Sequence, residues 1–142
     1  MAKRIGILTS GGDCAGLNAV IRAAVHRAAL LGWETVGILN GTAGLLKDPP
    51  AVRVLTPHEF DGTVMRMGGT ILGTTNKGNP FSFPMADGSS KDLSGKIVDG
   101  FKALKLDAVI GIGGDGSFAI LKKLTEQGGI NLVGIPKTID ND

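Results

Sequence analysis

A short apolar run, a glycine turn and an amphipathic segment follow one another twice in this chain, once near each end. The first set has a predicted strand at Arg4–Thr9, the turn at Ser10 and a helical segment to Leu31. The second set occupies residues 106–127, with its helix predicted from Phe118 to Gln127. In each set another apolar run follows, and such a strand, helix, strand order requires parallel strands joined by a crossover helix. The pattern therefore predicts an α/β fold, Rossmann-like, with three αβα layers and a mostly parallel sheet.

The first amphipathic segment is predicted to be a helix that ends at Gly32, a residue suited to terminate it. Its apolar residues recur at the spacing of one helix face, while Arg22 and Arg27 fall on the other side. The residues predicted on the buried face are Leu17, Val20, Ile21, Ala24, Val25, Ala28 and Leu31. Residues 34–39 then form the second predicted strand.

Further elements are predicted along the rest of the chain. Thr56-Pro57-His58-Glu59 combines a Thr N-cap, a Pro at N1 and a Glu at N3, which predicts a short helix through about Met65. Residues 74–90 are predicted to be a long loop, of a kind that is usually functional or mobile. A third helix is predicted from Lys91 to Leu104, and a buried strand at residues 132–135.

Composition excludes several classes of protein. The chain has 142 residues, enough for one core, and it has no apolar run that could cross a bilayer or serve as a signal peptide. We therefore predict a cytoplasmic protein without a membrane partner. The net charge of +2 comes from scattered residues, which argues against nucleic acid. Cys14 is the only cysteine, so an intrachain disulfide and a cysteine metal cluster are excluded.

Both glycine turns are candidate phosphate sites. Ser10-Gly11-Gly12-Asp13 presents backbone N–H groups at a helix N-terminus, although a plain tight turn capped by Asp13 is an equal alternative. In Gly113-Gly114-Asp115-Gly116-Ser117 the glycines leave room for a bulky anion, and Asp115 supplies an oxygen ligand for Mg²⁺. Here the alternative is a helix cap formed by Asp115 or Ser117.

The last five residues, Thr138-Ile139-Asp140-Asn141-Asp142, contain two carboxylates at positions i and i+2. In extended backbone both point the same way, so one can act as a general base while the other holds a metal or orients its neighbour. An ordinary acidic turn is the alternative. Lys137, just before this stretch, either balances phosphate charge or is a lone surface lysine.

Together these stretches resemble the phosphofructokinase family. The resemblance rests on four motifs in the same order: residues 5–13 with 16–19, residues 68–73, residues 113–117 and residues 136–142. It implies that residues 1–142 form a single nucleotide or phosphoryl-donor domain, the N-terminal part of a longer two-domain chain that assembles as a dimer or tetramer. The implied reaction is the glycolytic phosphorylation of fructose 6-phosphate by Mg-ATP, with this fragment inactive on its own.

The resemblance also implies roles for individual residues. The residues implied at the donor site are Gly12, Lys77, Gly78, Gly114, Asp115, Gly116 and Ser117, with Asp115 as the Mg²⁺ ligand. Those implied at the sugar are Thr138, Ile139 and Asp140. Asp140 and Lys77 are the implied catalytic residues: Asp140 accepts the proton of the sugar's 1-hydroxyl, and Lys77 stands near a position where many bacterial members have an Arg.

The donor is the point on which the motif signals differ. Gly116 leaves room for the α-phosphate of a nucleotide, whereas Lys137 is similar to family members that use pyrophosphate. We favour ATP, because excluding it requires a blocking group that Gly116 does not supply. The alternatives are a pyrophosphate-dependent enzyme and, if the chain were complete, a non-catalytic nucleotide-binding module. Diacylglycerol and NAD kinases share the Gly-Gly-Asp-Gly turn, but the terminal motif argues against them.

Overall fold

A computed structural model describes residues 3–12, 14–60, 62–75 and 79–138. The strands are β1 (Arg4–Thr9), β2 (Glu34–Ile38), β3 (Val52–Leu55), β4 (Phe83–Pro84), β5 (Ser90–Lys91), β6 (Ala108–Gly113) and β7 (Asn131–Pro136). The helices are α1 (Leu17–Leu30), α2 (Gly62–Arg66), α3 (Ser94–Ala103) and α4 (Asp115–Gly128). Short 3₁₀ helices occur at Gly41–Leu46 and Pro57–Glu59. No helix in these described ranges is long and apolar enough to span a membrane.

The main sheet has the strand order β3-β2-β1-β6-β7. β2, β1, β6 and β7 run parallel to one another, and β3 is antiparallel to β2. The chain passes from β1 outward to β2 on one side and from β6 outward to β7 on the other, so the direction of winding reverses between β1 and β6. In open α/β sheets, ligands bind at the carboxyl ends of the strands at this reversal point.

Two hydrophobic clusters lie on opposite faces of the sheet. Successive strand residues point to opposite faces, so Leu8 joins one cluster and Ile7 the other. The Leu8 cluster is closed by α3 and α4, for example through Phe101 and Leu121. The Ile7 cluster is closed by α1, through residues such as Ile21. The predicted three-layer α/β fold is therefore confirmed.

The first strand and helix agree closely with the sequence prediction. β1 covers the predicted residues, and α1 ends at Leu30 with Gly32 at a left-handed φ of 74°. The prediction that Leu31 lies on the buried face is wrong, because Leu31 is the C-cap residue, beyond the periodic face, and is 44% exposed.

The helix predicted to continue to Met65 is two separate pieces. The predicted start is confirmed: the Thr56 N–H donates to Glu59 Oε2 at 2.8 Å, and a 3₁₀ turn follows. Phe60 then leaves helical geometry, with φ −111° and ψ 67°, and is buried against the Ile7 cluster. Burial of this ring ends the turn, and α2 begins anew at Gly62.

Some elements of the second half differ from their predictions. The loop at residues 74–90 contains the small β4-β5 hairpin, whose turn includes Gly88 at a φ of 85°. α3 begins at Ser94 rather than Lys91, because Lys91 pairs in β5. β7 was predicted to be buried but lies at the edge of the sheet, where Val133 is 56% exposed.

Candidate functional site

The two glycine turns lie side by side at the carboxyl ends of β1 and β6. We call residues 10–12 the first turn and residues 113–117 the second turn. Thr9 and Ile112 are register partners, and the Ser10 N–H donates to the Ile112 carbonyl at 2.9 Å. A Cβ placed on Gly113 would lie 2.8 Å from the Ser117 Cβ and 3.3 Å from the Ser10 carbonyl oxygen, so this position has little room for a side chain. Parallel pairing therefore brings two turns that are far apart in sequence into one site.

The second turn passes directly into α4, which begins three residues earlier than predicted. Gly114 is the N-cap residue, and Asp115, Gly116 and Ser117 form the first helical positions. No side chain of the described residues caps this helix end, so the alternative that Asp115 or Ser117 is a cap is wrong. The first N–H groups of a helix need partners and carry partial positive charge, which suits an anion.

Gly116 faces open space. A Cβ placed on this residue meets no atom of the described residues within 4 Å. Gly116 also lines two neighbouring cavities, one of about 300 Å³ and one of about 240 Å³. A side chain at this position would therefore stand in the cavities rather than collide with the fold.

The two cavities differ in the character of their linings. They share Gly11, Gly116 and Ser117. The larger is otherwise lined by Gly12, Gly114, Lys137 and Thr138, and the smaller by Ser10, Thr42, Thr75, Pro80, Ile120 and Leu121. The larger cavity is bounded by glycine backbone and one cation, which suits phosphates. The smaller cavity includes apolar side chains, which suit an uncharged group attached to the phosphates.

The first turn is held by hydrogen bonds from other segments. Gly11 has a left-handed φ of 87°. Its N–H donates to the Thr75 carbonyl at 3.3 Å, and its carbonyl accepts from the Thr74 hydroxyl at 2.8 Å. The Gly12 carbonyl accepts a hydrogen bond from Lys137 Nζ.

Lys137 connects the two turns. Its backbone N–H donates to the Gly113 carbonyl at 3.0 Å, and its ammonium group donates to the Gly12 carbonyl. The side chain is half-buried and lines the larger cavity beside Thr138. The alternative that Lys137 is a lone surface lysine is therefore wrong. Its charge lies where an anion in the cavity would meet it.

Asp115 has an exposed carboxylate between two glycines that line the cavity. No cation of the described residues forms an ion pair with it, and the same residues contain no cluster of three metal-binding side chains. A Mg²⁺ ion held here would take its other ligands from water and phosphate oxygens. Because Mg²⁺ usually binds through one or two carboxylates and keeps several waters, Asp115 fits this ion.

Several predicted site residues lie outside the described residues. They are Asp13, Lys77, Gly78, Ile139, Asp140 and Asp142. Two described residues lie directly before such stretches: Thr75 precedes residues 76–78, and Thr138 precedes residues 139–142. Thr75 and Thr138 both line the cavities.

Comparison with known proteins gives the family. The phosphofructokinase family model matches residues 4–142. The chain belongs to the phosphofructokinase family. It is 63% identical over 141 residues to "ATP-dependent 6-phosphofructokinase 1" of Synechocystis sp., and 49% identical over 147 residues to "ATP-dependent 6-phosphofructokinase 2" of Nostoc sp.. These alignments cover 99% and 100% of this chain but only 39% and 38% of the relatives, so the chain spans about two fifths of their length.

Solved phosphofructokinase structures share the fold. The Pichia pastoris enzyme in the T-state matches 99% of this chain and 16% of its own, with a TM-score of 0.80 and 26% identity. A pyrophosphate-dependent phosphofructokinase from Marinobacter aquaeolei matches 96% of this chain and 33% of its own, with a TM-score of 0.70 and 18% identity. The second similarity concerns the fold alone.

Sequence reasoning missed part of this phosphofructokinase site. It did not place Thr42, Pro80 or Ile120 at a cavity, and it gave no role to Thr9 or Thr74. Thr9 precedes the first turn and Ile120 follows the second within α4, whereas Thr42, Thr74 and Pro80 are distant in sequence and reach the turns only through the fold. The one available signal was that the Thr74 segment follows a family motif, residues 68–73.

Proposed function

We propose that the complete protein transfers the terminal phosphoryl group of ATP to the 1-hydroxyl of fructose 6-phosphate, which forms fructose 1,6-bisphosphate and ADP. One observation carries this proposal: the uncapped start of α4 faces a cavity that Gly116 leaves open. The names of the aligned relatives support the same reaction.

The donor phosphates lie, in this proposal, against the second turn. The N–H groups at the start of α4 and the Lys137 ammonium stabilise their negative charge. Asp115 holds Mg²⁺, which neutralises the charge that develops on the phosphoryl oxygens during transfer. Gly12 and Gly114 give close backbone approach, and the rest of the nucleotide extends toward the apolar lining that includes Ile120.

The sugar approaches from the side of Thr138. Thr138 and Ile139 contact fructose 6-phosphate, and the Asp140 carboxylate takes the proton of the 1-hydroxyl as that oxygen attacks the terminal phosphorus in line. The new O–P bond forms while the bond to the bridging oxygen of ADP breaks. These roles are carried over from the family motif, and the cavity position of Thr138 supports them.

Lys77 and Gly78 also belong to the proposed donor site, as the family resemblance implies. Thr75 accepts a hydrogen bond from Gly11, so the segment that continues to Lys77 starts at the first turn. Lys77 then acts as a point charge on the transferred phosphoryl, without the bidentate geometry of Arg.

ATP is the proposed donor, and pyrophosphate is the second candidate. The open space at Gly116 and the printed names of the relatives favour ATP. Lys137 favours pyrophosphate, because the resemblance places a Lys at this position in family members that use pyrophosphate. The family resemblance further implies a cytoplasmic homo-oligomer, a dimer or tetramer.

The test is a side-by-side assay of the complete protein with fructose 6-phosphate, Mg²⁺ and either ATP or pyrophosphate. We expect turnover with ATP and loss of turnover when Mg²⁺ is chelated. Turnover with pyrophosphate but not with ATP would make pyrophosphate the donor. No turnover with either donor would contradict the proposed function. The 142-residue fragment is expected to bind Mg-ATP without turnover.

A further inference from the structure

Residues 70–75 cross the carboxyl end of β1 and are fixed there by threonine side chains. Thr9, the last residue of β1, is fully buried, and its hydroxyl donates to the Gly73 carbonyl at 2.9 Å. The same hydroxyl lies 3.2 Å from the Thr70 hydroxyl. Because Thr9 is part of the sheet, the middle of this segment is anchored to the most rigid part of the fold.

Thr74 makes the contact closest to the candidate site. Its hydroxyl donates to the Gly11 carbonyl at 2.8 Å and lies 3.3 Å from the Thr9 carbonyl. In return the Gly11 N–H donates to the Thr75 carbonyl at 3.3 Å. The first turn and residues 74–75 therefore exchange hydrogen bonds in both directions.

Thr74 itself does not line either cavity, but the residues on both sides of its contact do. Gly11 lines both cavities and Thr75 lines the smaller one. Gly11 has a φ of 87°, which glycine adopts readily, so the turn is held by its hydrogen bonds and not by a side chain of its own. Removing the hydroxyl takes away the side-chain hydrogen bond to the Gly11 carbonyl and loosens the turn at the cavity wall.

We propose that Thr74 is a positioning residue for the phosphoryl donor, acting through Gly11 and Thr75. The proposal rests on the function proposed above. The Thr74 hydroxyl fixes the spacing between Gly11 and Thr75, so these two residues at the cavity wall are preorganised before the donor binds. Preorganisation strengthens donor binding, because less ordering remains to be done when the ligand arrives.

The rest of the segment has its own anchors, so loss of the Thr74 hydroxyl loosens only its cavity end. The Asn18 side chain is 2% exposed and accepts from the Ile71 N–H at 2.8 Å while it donates to the Val64 carbonyl at 3.3 Å. Leu72 is buried in the Ile7 cluster, and its carbonyl accepts from the Asn40 N–H at 2.8 Å. We therefore expect the Thr74 variants to fold.

The experiment compares Thr74→Val, which removes the hydroxyl at nearly constant shape, with Thr74→Ser, which keeps it, in the complete protein. For Thr74→Val we expect the KM for ATP to rise about tenfold, the effect of losing one buried hydrogen bond, while the KM for fructose 6-phosphate stays unchanged. Thr74→Ser should restore the wild-type KM for ATP. Thr35→Val is the control, since Thr35 is a buried threonine of β2 that lines neither cavity.

Two results would overturn the proposal. One is a Thr74→Val protein with a lower melting temperature and an unchanged KM for ATP, which would make the role structural. The other is an equal rise in the KM values of both substrates. If the wild type shows no turnover, the proposed function fails, but calorimetric binding of Mg-ATP to wild type and to Thr74→Val still decides the role of Thr74: weaker binding to the variant supports it, and equal binding contradicts it.

Discussion

The two glycine turns occupy equivalent places in the sheet but differ in what surrounds them. The first turn is held by other segments: Gly11 exchanges hydrogen bonds with residues 74–75, and Gly12 accepts one from Lys137. The second turn passes into α4 with no side-chain cap from the described residues, and Gly116 faces empty space. One turn is restrained by the fold, and the other is left open for a ligand.

This difference indicates a division of roles in the proposed phosphate site: the first turn supports the structure, and the second turn binds the ligand. Substitutions in the second turn that add or remove charge should change the ligand and leave the fold intact. Substitutions at the point where the two turns contact each other should lower the stability of the fold. The predictions below test this division, starting with the largest expected effect.

Asp115→Asn should lower kcat in the complete protein on the order of 1,000-fold, because the amide removes the carboxylate that holds Mg²⁺ against the phosphates. Steady-state kinetics over a range of Mg²⁺ concentrations would measure the effect. Glu126→Gln is the control, since Glu126 is an exposed carboxylate near the other end of α4. A wild-type kcat in Asp115→Asn would contradict the proposal that Asp115 holds Mg²⁺.

Gly116→Asp should lower kcat/KM for ATP about 100-fold, because a carboxylate in the cavity repels the phosphates and occupies their space. Gly95→Asp is a closely matched control: Gly95 is the second residue of α3, as Gly116 is of α4, and a Cβ on either meets nothing within 4 Å. If both variants keep wild-type ATP kinetics, the open space at Gly116 is not the donor site.

Gly113→Ala should destabilise the fold by about 1–3 kcal/mol, since the added methyl group has no room. Its Cβ would lie 2.8 Å from the Ser117 Cβ and 3.3 Å from the Ser10 carbonyl oxygen. Gly95→Ala, in open space, should be neutral or stabilising by about 0.5–1 kcal/mol. Urea unfolding of both proteins measures this, and equal stability of the two would mean that Gly113 is not closely packed against Ser117 and Ser10.

The start of α3 gives the smallest effect and a contrast to the start of α4. The Asp92 carboxylate accepts hydrogen bonds from the Ser94 hydroxyl at 2.5 Å and the Ser94 N–H at 2.9 Å, and these bonds lower the pKa of Asp92. A carboxyl group whose pKa is lowered in the folded state stabilises the protein above its unfolded pKa of about 4 and loses this contribution as the pH falls through the folded value.

Urea midpoints measured between neutral and acidic pH should therefore fall more steeply for wild type than for Asp92→Asn. Parallel pH profiles for the two proteins would show that Asp92 does not hold the start of α3. In that case the contrast between α3, whose first N–H donates to a side-chain carboxylate, and α4, whose start has no side-chain cap from the described residues, would lose its support.

The parts of the fold that sequence predicted well are those determined locally. β1 and α1 carry clear periodicity and a terminating glycine, and both were placed to within a residue. The start of α4 was predicted at Phe118 rather than Asp115, because the glycines of the second turn suggested a turn where the chain is already helical. β3 was missed because four residues on a sheet edge carry little pattern.

The candidate site was predictable in its residue types and not in its arrangement. The glycines and Asp115 could be predicted as a candidate phosphate and metal motif from their own stretch of sequence. The contact of the two turns depends on β6 pairing with β1, and the Thr74 hydrogen bond depends on a segment that crosses β1. Both contacts depend on the strand order, which no single stretch of sequence predicts.

The most direct test of the second turn as the donor site is a crystal structure of the complete protein with Mg²⁺ and a non-hydrolysable ATP analogue. We expect phosphate oxygens within hydrogen-bond distance of the N–H groups at the start of α4, the metal ion on the Asp115 carboxylate, and the α-phosphate beside Gly116. An analogue bound elsewhere, with the start of α4 facing only water, would contradict the account.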